Sequence, residues 1–139
     1  MAGLPDEQDY YVITGESYGT KQPIGIAFDE GEGIIRTTPG KKTAWTLEYI
    51  DKKKGIVKGI HPESGLHAAI PEDLDGLARH VVEPQHWALQ KTDGGVSVSR
   101  VVNGEELFVH VDNEGRVTAS PQSKLKEIPS WVLQPVNAV

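Results

Sequence analysis

The chain has 139 residues, a formal net charge of −6 and no cysteine. This length is typical of one domain that buries its own core, and the missing cysteines exclude disulfides and thiol chemistry and favour an intracellular protein. The negative charge argues against nucleic acid as a partner, no apolar run reaches the length of a membrane span, and residues 1–9 lack the features of a signal peptide.

In chain order, short apolar runs alternate with turns that contain glycine, proline, asparagine or aspartate. This pattern, with weak helical periodicity, predicts an all-β protein built from short strands. Asn103-Gly104 and the acidic, glycine-rich residues 29–33 are clear turn signals. Twelve strands are predicted, at residues 10–13, 23–28, 34–38, 44–50, 55–60, 66–70, 77–82, 86–91, 96–101, 107–111, 116–119 and 131–136. The predicted loops of interest are residues 14–22, 29–33, 41–42, 71–76 and 120–128.

Three tryptophans, each followed two residues later by a leucine, divide the chain into three similar parts. They are Trp45, Trp87 and Trp131, which lie 42 and 44 residues apart. A period of this length indicates one supersecondary unit used three times. Chance spacing is the alternative, but the leucine recurs in phase. In a strand, residues i and i+2 share a face, so each pair should point into one common core.

We therefore predict a β-trefoil, in which six strands close a barrel and six form a hairpin cap. The chain would be a single domain with pseudo-threefold symmetry. Its three four-stranded repeats would lie at about residues 9–50, 51–91 and 92–136.

The sequence contains no arrangement of residues that is typical of an enzyme. The five histidines have no metal-ligand spacing and are expected at surface or edge positions, and no serine lies in a nucleophile elbow. Phosphate-loop and dinucleotide motifs are absent from the sequence. The acidic residues 29–32 and 112–114 do not match a calcium loop. We expect a non-enzymatic binding protein without metal or cofactor, a monomer whose function lies in its loops.

Carbohydrate and protease are the two partners that a rigid barrel with exposed loops would suit. Sugar binding by ricin-type trefoils uses Gln-x-Trp in the repeats, and only Gln85-His-Trp87 fits here. Tryptophans that point into the core cannot also stack on a sugar ring. Protease inhibition needs only a convex, pre-shaped loop on a rigid scaffold. A trefoil that has lost both activities is the third interpretation.

Several short motifs follow one another along nearly the whole chain: Tyr10-Tyr-Val-Ile13, Pro23-Ile-Gly25, Thr43-Ala-Trp-Thr-Leu-Glu48, Val81-Val-Glu-Pro-Gln-His-Trp-Ala-Leu89 and Trp131-Val-Leu-Gln-Pro-Val136. This order resembles the small cysteine-free β-trefoil protease inhibitors of basidiomycete mushrooms, the cospin-like family. The resemblance implies a cytoplasmic defence protein that inhibits serine proteases, trypsin-like ones in particular. It also implies a reactive loop between the second and third strands.

That loop contains Phe28, Asp29, Glu30 and Gly31. It departs from a trypsin-directed loop because it is short and acidic, and a carboxylate would meet the buried aspartate of the trypsin pocket. The aromatic ring of Phe28 would suit a chymotrypsin-like pocket better.

The related mushroom inhibitors of papain-like proteases imply an alternative loop in the first repeat. Its residues here are Gly15, Tyr18 and Gly19, with Lys21 as the nearest basic side chain for a trypsin-directed loop.

Overall fold

The computed structural model describes residues 4–14, 24–38, 40–71 and 76–136. These residues form an all-β structure in which the sole helical element is a short 3-10 helix, Gln122–Lys124. The prediction of an all-β chain is confirmed, and each predicted strand corresponds to one that forms. The strands are β1 Asp9–Thr14, β2 Ile26–Asp29, β3 Ile34–Thr37, β4 Ala44–Asp51, β5 Ile56–Ile60, β6 His67–Ala69, β7 Arg79–Val81, β8 Trp87–Lys91, β9 Val96–Val102, β10 Glu105–Val111, β11 Val117–Pro121 and β12 Trp131–Pro135.

The predicted loop at residues 120–128 is more regular than expected. Strand β11 continues to Pro121, and the 3-10 helix follows it directly. The N–H of Leu125 donates a hydrogen bond to the carbonyl of Gln122 at 3.0 Å, which closes the short helical turn. Of the predicted loop at residues 71–76, residues 72–75 lie outside the described part of the chain.

Six strands form a closed barrel. Each pairs in antiparallel fashion with its two neighbours, in the ring order β1, β4, β5, β8, β9, β12 and back to β1. Closure leaves none of these six strands as an open edge of the ring. The first and last strands of the chain are neighbours in it, so the barrel needs nearly the whole sequence.

The other six strands form three hairpins, β2–β3, β6–β7 and β10–β11. Backbone hydrogen bonds join them: the N–H of Ile35 donates to the carbonyl of Ala78, and the N–H of Ala78 donates to the carbonyl of Val117, both at 2.8 Å. The N–H of Thr37 also donates to the carbonyl of Gly115 at 2.7 Å. The hairpins therefore support one another.

The three tryptophans lie in the core, as their spacing predicts. Trp45, Trp87 and Trp131 are 6%, 8% and 2% exposed. Inward-facing and outward-facing side chains also alternate along β4, since Leu47 faces the core while Ile50 is 46% exposed. Buried residues from all parts of the described chain form one apolar cluster around them.

Each tryptophan indole N–H donates a hydrogen bond, but the three acceptors differ. Trp87 donates to the carbonyl of Ala68 at 3.2 Å, and Trp131 donates to the carbonyl of Val109 at 3.0 Å. Trp45 instead donates to Nε2 of the His80 side chain at 2.9 Å. The buried indole groups are all satisfied, as burial requires.

Candidate functional site

The turn between β2 and β3 is held by its own first residue, Asp29. The carboxylate oxygen Oδ1 of Asp29 accepts hydrogen bonds from the N–H of Gly31 at 2.9 Å and of Glu32 at 3.2 Å. The N–H of Gly33 donates to the carbonyl of Asp29 at 2.7 Å. Gly33 has a φ of 72°, which glycine adopts without strain. The turn is short, and the side chains of Glu30 and Glu32 are exposed.

A second set of contacts fixes this turn to its neighbour, the turn between β10 and β11. The guanidinium of Arg36 forms an ion pair with Glu32, at 2.6 Å from Nη1 to Oε1. Its Nη2 donates a hydrogen bond to the backbone carbonyl of Glu114 at 2.8 Å. Because one arginine bonds to both turns, the two acidic hairpin tips share one surface.

The neighbouring turn is built in the same way around Asp112. Its Oδ1 accepts hydrogen bonds from the N–H of Glu114 and of Arg116, both at 2.9 Å, and the Arg116 guanidinium pairs with Oδ2 at 2.9 Å. Burial would raise the pKa of the Asp112 carboxyl, but these backbone hydrogen bonds and Arg116 outweigh it and lower that pKa. Asp112 therefore stays ionised and keeps the turn closed.

Phe28 stands apart from the exposed residues of its loop. Its ring is partly buried and stacks on the imidazole of His80, with centroids 4.2 Å apart and planes 16° from parallel. Its N–H donates to Oγ1 of Thr43 at 2.9 Å. In this arrangement the ring anchors the base of the loop. The exposed residues of the predicted reactive loop are Glu30 and Gly31, and the exposed Glu32 follows them.

His80 lies at the centre of an aromatic cluster that the sequence did not suggest. It stacks between Phe28 and His61, whose ring centroid is 4.6 Å away, and accepts the indole hydrogen bond of Trp45. Burial and then the neighbouring His61 lower the pKa of His80 from 6.5 to about 4. The sequence predicts only an ordinary histidine at a surface or edge position here. No local motif signals this role, because the four rings come from four separate segments.

The alternative loop, Gly15, Tyr18, Gly19 and Lys21, lies outside the described residues. The residues that flank it bind each other: the N–H of Thr14 donates to the carbonyl of Ile24 at 2.9 Å, and the N–H of Ile24 donates to Oγ1 of Thr14 at 3.1 Å.

The Gln-x-Trp motif serves the fold. The side-chain amide of Gln85 accepts from the N–H of Ile70 at 2.7 Å and donates to its carbonyl at 3.1 Å, while Trp87 is buried. Within residues 4–14, 24–38, 40–71 and 76–136, every phenylalanine, tyrosine and tryptophan is buried or partly buried. The described surface thus offers no fully exposed ring on which a sugar could stack.

No protein-family model matches this chain, and no curated protein matches it either. Among the described residues, no group of three or more histidine, cysteine or acidic side chains is placed to hold a metal ion. The same part of the chain contains no helix of the length and apolarity needed to cross a membrane.

Proposed function

We propose that this protein is a β-trefoil inhibitor of serine proteases that presents the turn after Phe28 to the protease cleft. The observation that carries the proposal is that Glu30, Gly31 and Glu32 are exposed while the backbone beneath them is fixed by Asp29 and Arg36. A loop already held in one shape loses little conformational freedom on binding. In this proposal the inhibitor is a cytoplasmic monomer that acts without a cofactor.

Three matched strand pairs support the trefoil. Each tryptophan faces one large apolar residue on the preceding barrel strand of its own repeat: Tyr10 with Trp45, Val57 with Trp87, and Val96 with Trp131. The three cap hairpins also meet through backbone hydrogen bonds at Ile35, Ala78 and Val117.

The acidic character of the turn favours particular proteases. A glutamate at the contact is repelled by the buried aspartate of a trypsin-like pocket and is attracted by a basic one. Glu30 is exposed, so its carboxylate is available to a protease. We therefore propose a serine protease that accepts an acidic residue, with trypsin as a poor target.

The direct test is a titration of five proteases with the purified protein, with residual activity as the readout. The panel is trypsin, chymotrypsin, a subtilisin, a glutamate-specific serine protease and papain. We expect stoichiometric loss of activity for at least one serine protease other than trypsin. Inhibition of papain alone would move the function to residues 15–21, and no inhibition at micromolar concentration would refute the proposal.

Two variants assign the effect to the turn. Asp29→Ala removes the two hydrogen bonds that shape it and should weaken inhibition about tenfold. Asp51→Ala is the matched control, because Asp51 accepts the N–H of Lys54 in a different turn and should leave inhibition unchanged.

Reversal of the charge at residue 30 should change which protease is inhibited. Glu30→Arg replaces the repelled carboxylate with a cation that the trypsin pocket attracts, and we expect trypsin inhibition to improve about a hundredfold. If Asp29→Ala and Glu30→Arg both inhibit as the unchanged protein does, the turn is not the reactive loop.

A further inference from the structure

Glycine occupies one barrel position at which the other two repeats have valine. Along the barrel, Val12 faces Leu133 and Val98 faces Leu89. The corresponding residue opposite Leu47 is Gly59. One of three similar pairs in the barrel wall therefore lacks a side chain.

Neither backbone conformation nor crowding requires glycine at this position. Gly59 is not among the glycines with a positive φ. A Cβ atom placed on it would lie 3.8 Å from the Cβ of Ala68 and 4.0 Å from the Cβ of Trp45, which is ordinary contact. There is room for a side chain, and the residue across the gap, Ala68, is itself small.

The barrel interior contains a cavity of about 130 Å³ at this place. Its wall, as far as the described residues form it, is apolar and includes Trp45, Leu47, Gly59, Ala68, Leu89 and Val98. Side chains normally fill the interior of a small barrel. The absence of a side chain at Gly59 explains why a space remains here.

The polar groups of the aromatic residues around the cavity are engaged elsewhere. The indole N–H groups of Trp45, Trp87 and Trp131 bond to His80 and to two backbone carbonyls. The hydroxyl of Tyr10 donates to the carbonyl of Asp6 at 2.7 Å. A buried water needs two to four polar partners, whereas cavities without them stay dry and accept apolar molecules.

We propose that this cavity is a binding site for one small, uncharged, apolar molecule about the size of benzene. An apolar protein cavity of about 150 Å³ binds benzene or xenon, and the volume here is comparable. The site is inside the barrel and is independent of the loop proposed to bind proteases.

The test is a benzene titration of the full-length protein, followed by methyl NMR and by the thermal unfolding midpoint. Benzene should shift the methyl signals of Leu47, Ala68 and Val98 saturably and raise the midpoint, because it binds only the folded state. Gly59→Val fills the space with the residue that the other repeats carry, and should weaken benzene binding about tenfold or more. Without ligand, the midpoint of this variant should rise by about 3 °C, since valine suits a strand better than glycine.

Two further variants test whether benzene binding depends on the space at Gly59. Gly59→Ala adds one methyl group to the cavity and should weaken binding about threefold even if valine overfills the space. Gly94→Ala is the matched control, because a Cβ at Gly94 meets nothing within 4 Å, and it should bind benzene as the unchanged protein does. No saturable methyl shifts in the unchanged protein, or undiminished binding by both Gly59 variants, would overturn the proposal.

Discussion

The hydrogen bond from Trp45 to His80 distinguishes the first tryptophan from the other two. Trp87 and Trp131 donate to backbone carbonyls, which accept at any pH, whereas Trp45 donates to an imidazole nitrogen. That nitrogen can accept only when it carries no proton. The packing of Trp45 therefore depends on a neutral His80, and burial followed by the proximity of His61 keeps it neutral by lowering its pKa to about 4.

This dependence predicts loss of stability in mild acid. The pKa of His80 is about 4 in the folded protein and near 6.5 in the unfolded chain. Between these values the unfolded state binds more protons, so the free energy of unfolding should fall as the pH falls from 6.5 to 4. His80→Gln offers Trp45 an acceptor that does not titrate, and should reduce this fall. The measurement is the urea midpoint of both proteins at pH 7, 5.5 and 4.

The control for this experiment is His86→Gln, because the side chain of His86 is exposed. It should keep the pH dependence of the unchanged protein. Carboxylates also titrate near pH 4, so the difference between variants, rather than the slope itself, reports on His80. Equal slopes for His80→Gln and the unchanged protein would show that His80 does not contribute.

Between elements, the barrel is closed by the pairing of β9 with β12, and the backbones of these two strands approach each other very closely at the start of β9. Strands β9 and β12 pair through Val96 and Trp131 alone. A Cβ atom on the preceding residue, Gly95, would clash with the backbone carbonyl of Trp131, at 2.0 Å from its oxygen. The neighbouring Gly94 has open space around the same position. The two adjacent glycines thus differ in whether the fold needs them.

We expect Gly95→Ala to destabilise the protein by about 1–3 kcal/mol, because the strands must separate to admit the methyl group. Gly94→Ala should change the free energy of unfolding by less than about 0.5 kcal/mol. Chemical denaturation followed by tryptophan fluorescence measures both values. Similar effects for the two variants would mean that the close approach of β9 and β12 does not require glycine at residue 95.

Strand positions could be predicted because their causes are local. Alternation of apolar and polar residues, as in β4, and turn residues such as Asn103-Gly104 fix strands and hairpins without knowledge of distant partners. The Asp29 turn is local in the same sense. The hydrogen bond from Arg36 to the carbonyl of Glu114 has no local cause, since the two residues are 78 positions apart. The His80 cluster and the gap at Gly59 likewise depend on which strands become neighbours.

At the scale of the whole molecule, the barrel closes only when all three parts of the chain are in place. Strands β1 and β12 pair with each other, and the buried side chains of every part belong to one apolar cluster. Removal of any part would open the ring and expose the tryptophans of the others. Folding should therefore be a single cooperative event rather than the sum of three.

This argument predicts that far-ultraviolet circular dichroism, near-ultraviolet circular dichroism and tryptophan fluorescence give the same urea midpoint. Trp45→Phe and Trp131→Phe each remove a buried indole and its hydrogen bond, and each should lower that midpoint for all three signals together. The slope of the free energy against urea should stay constant, because the surface exposed on unfolding is that of the whole barrel. If the three parts of the chain were independent units, each substitution would instead split the transition. The fluorescence of the remaining tryptophans would then still change at the original midpoint.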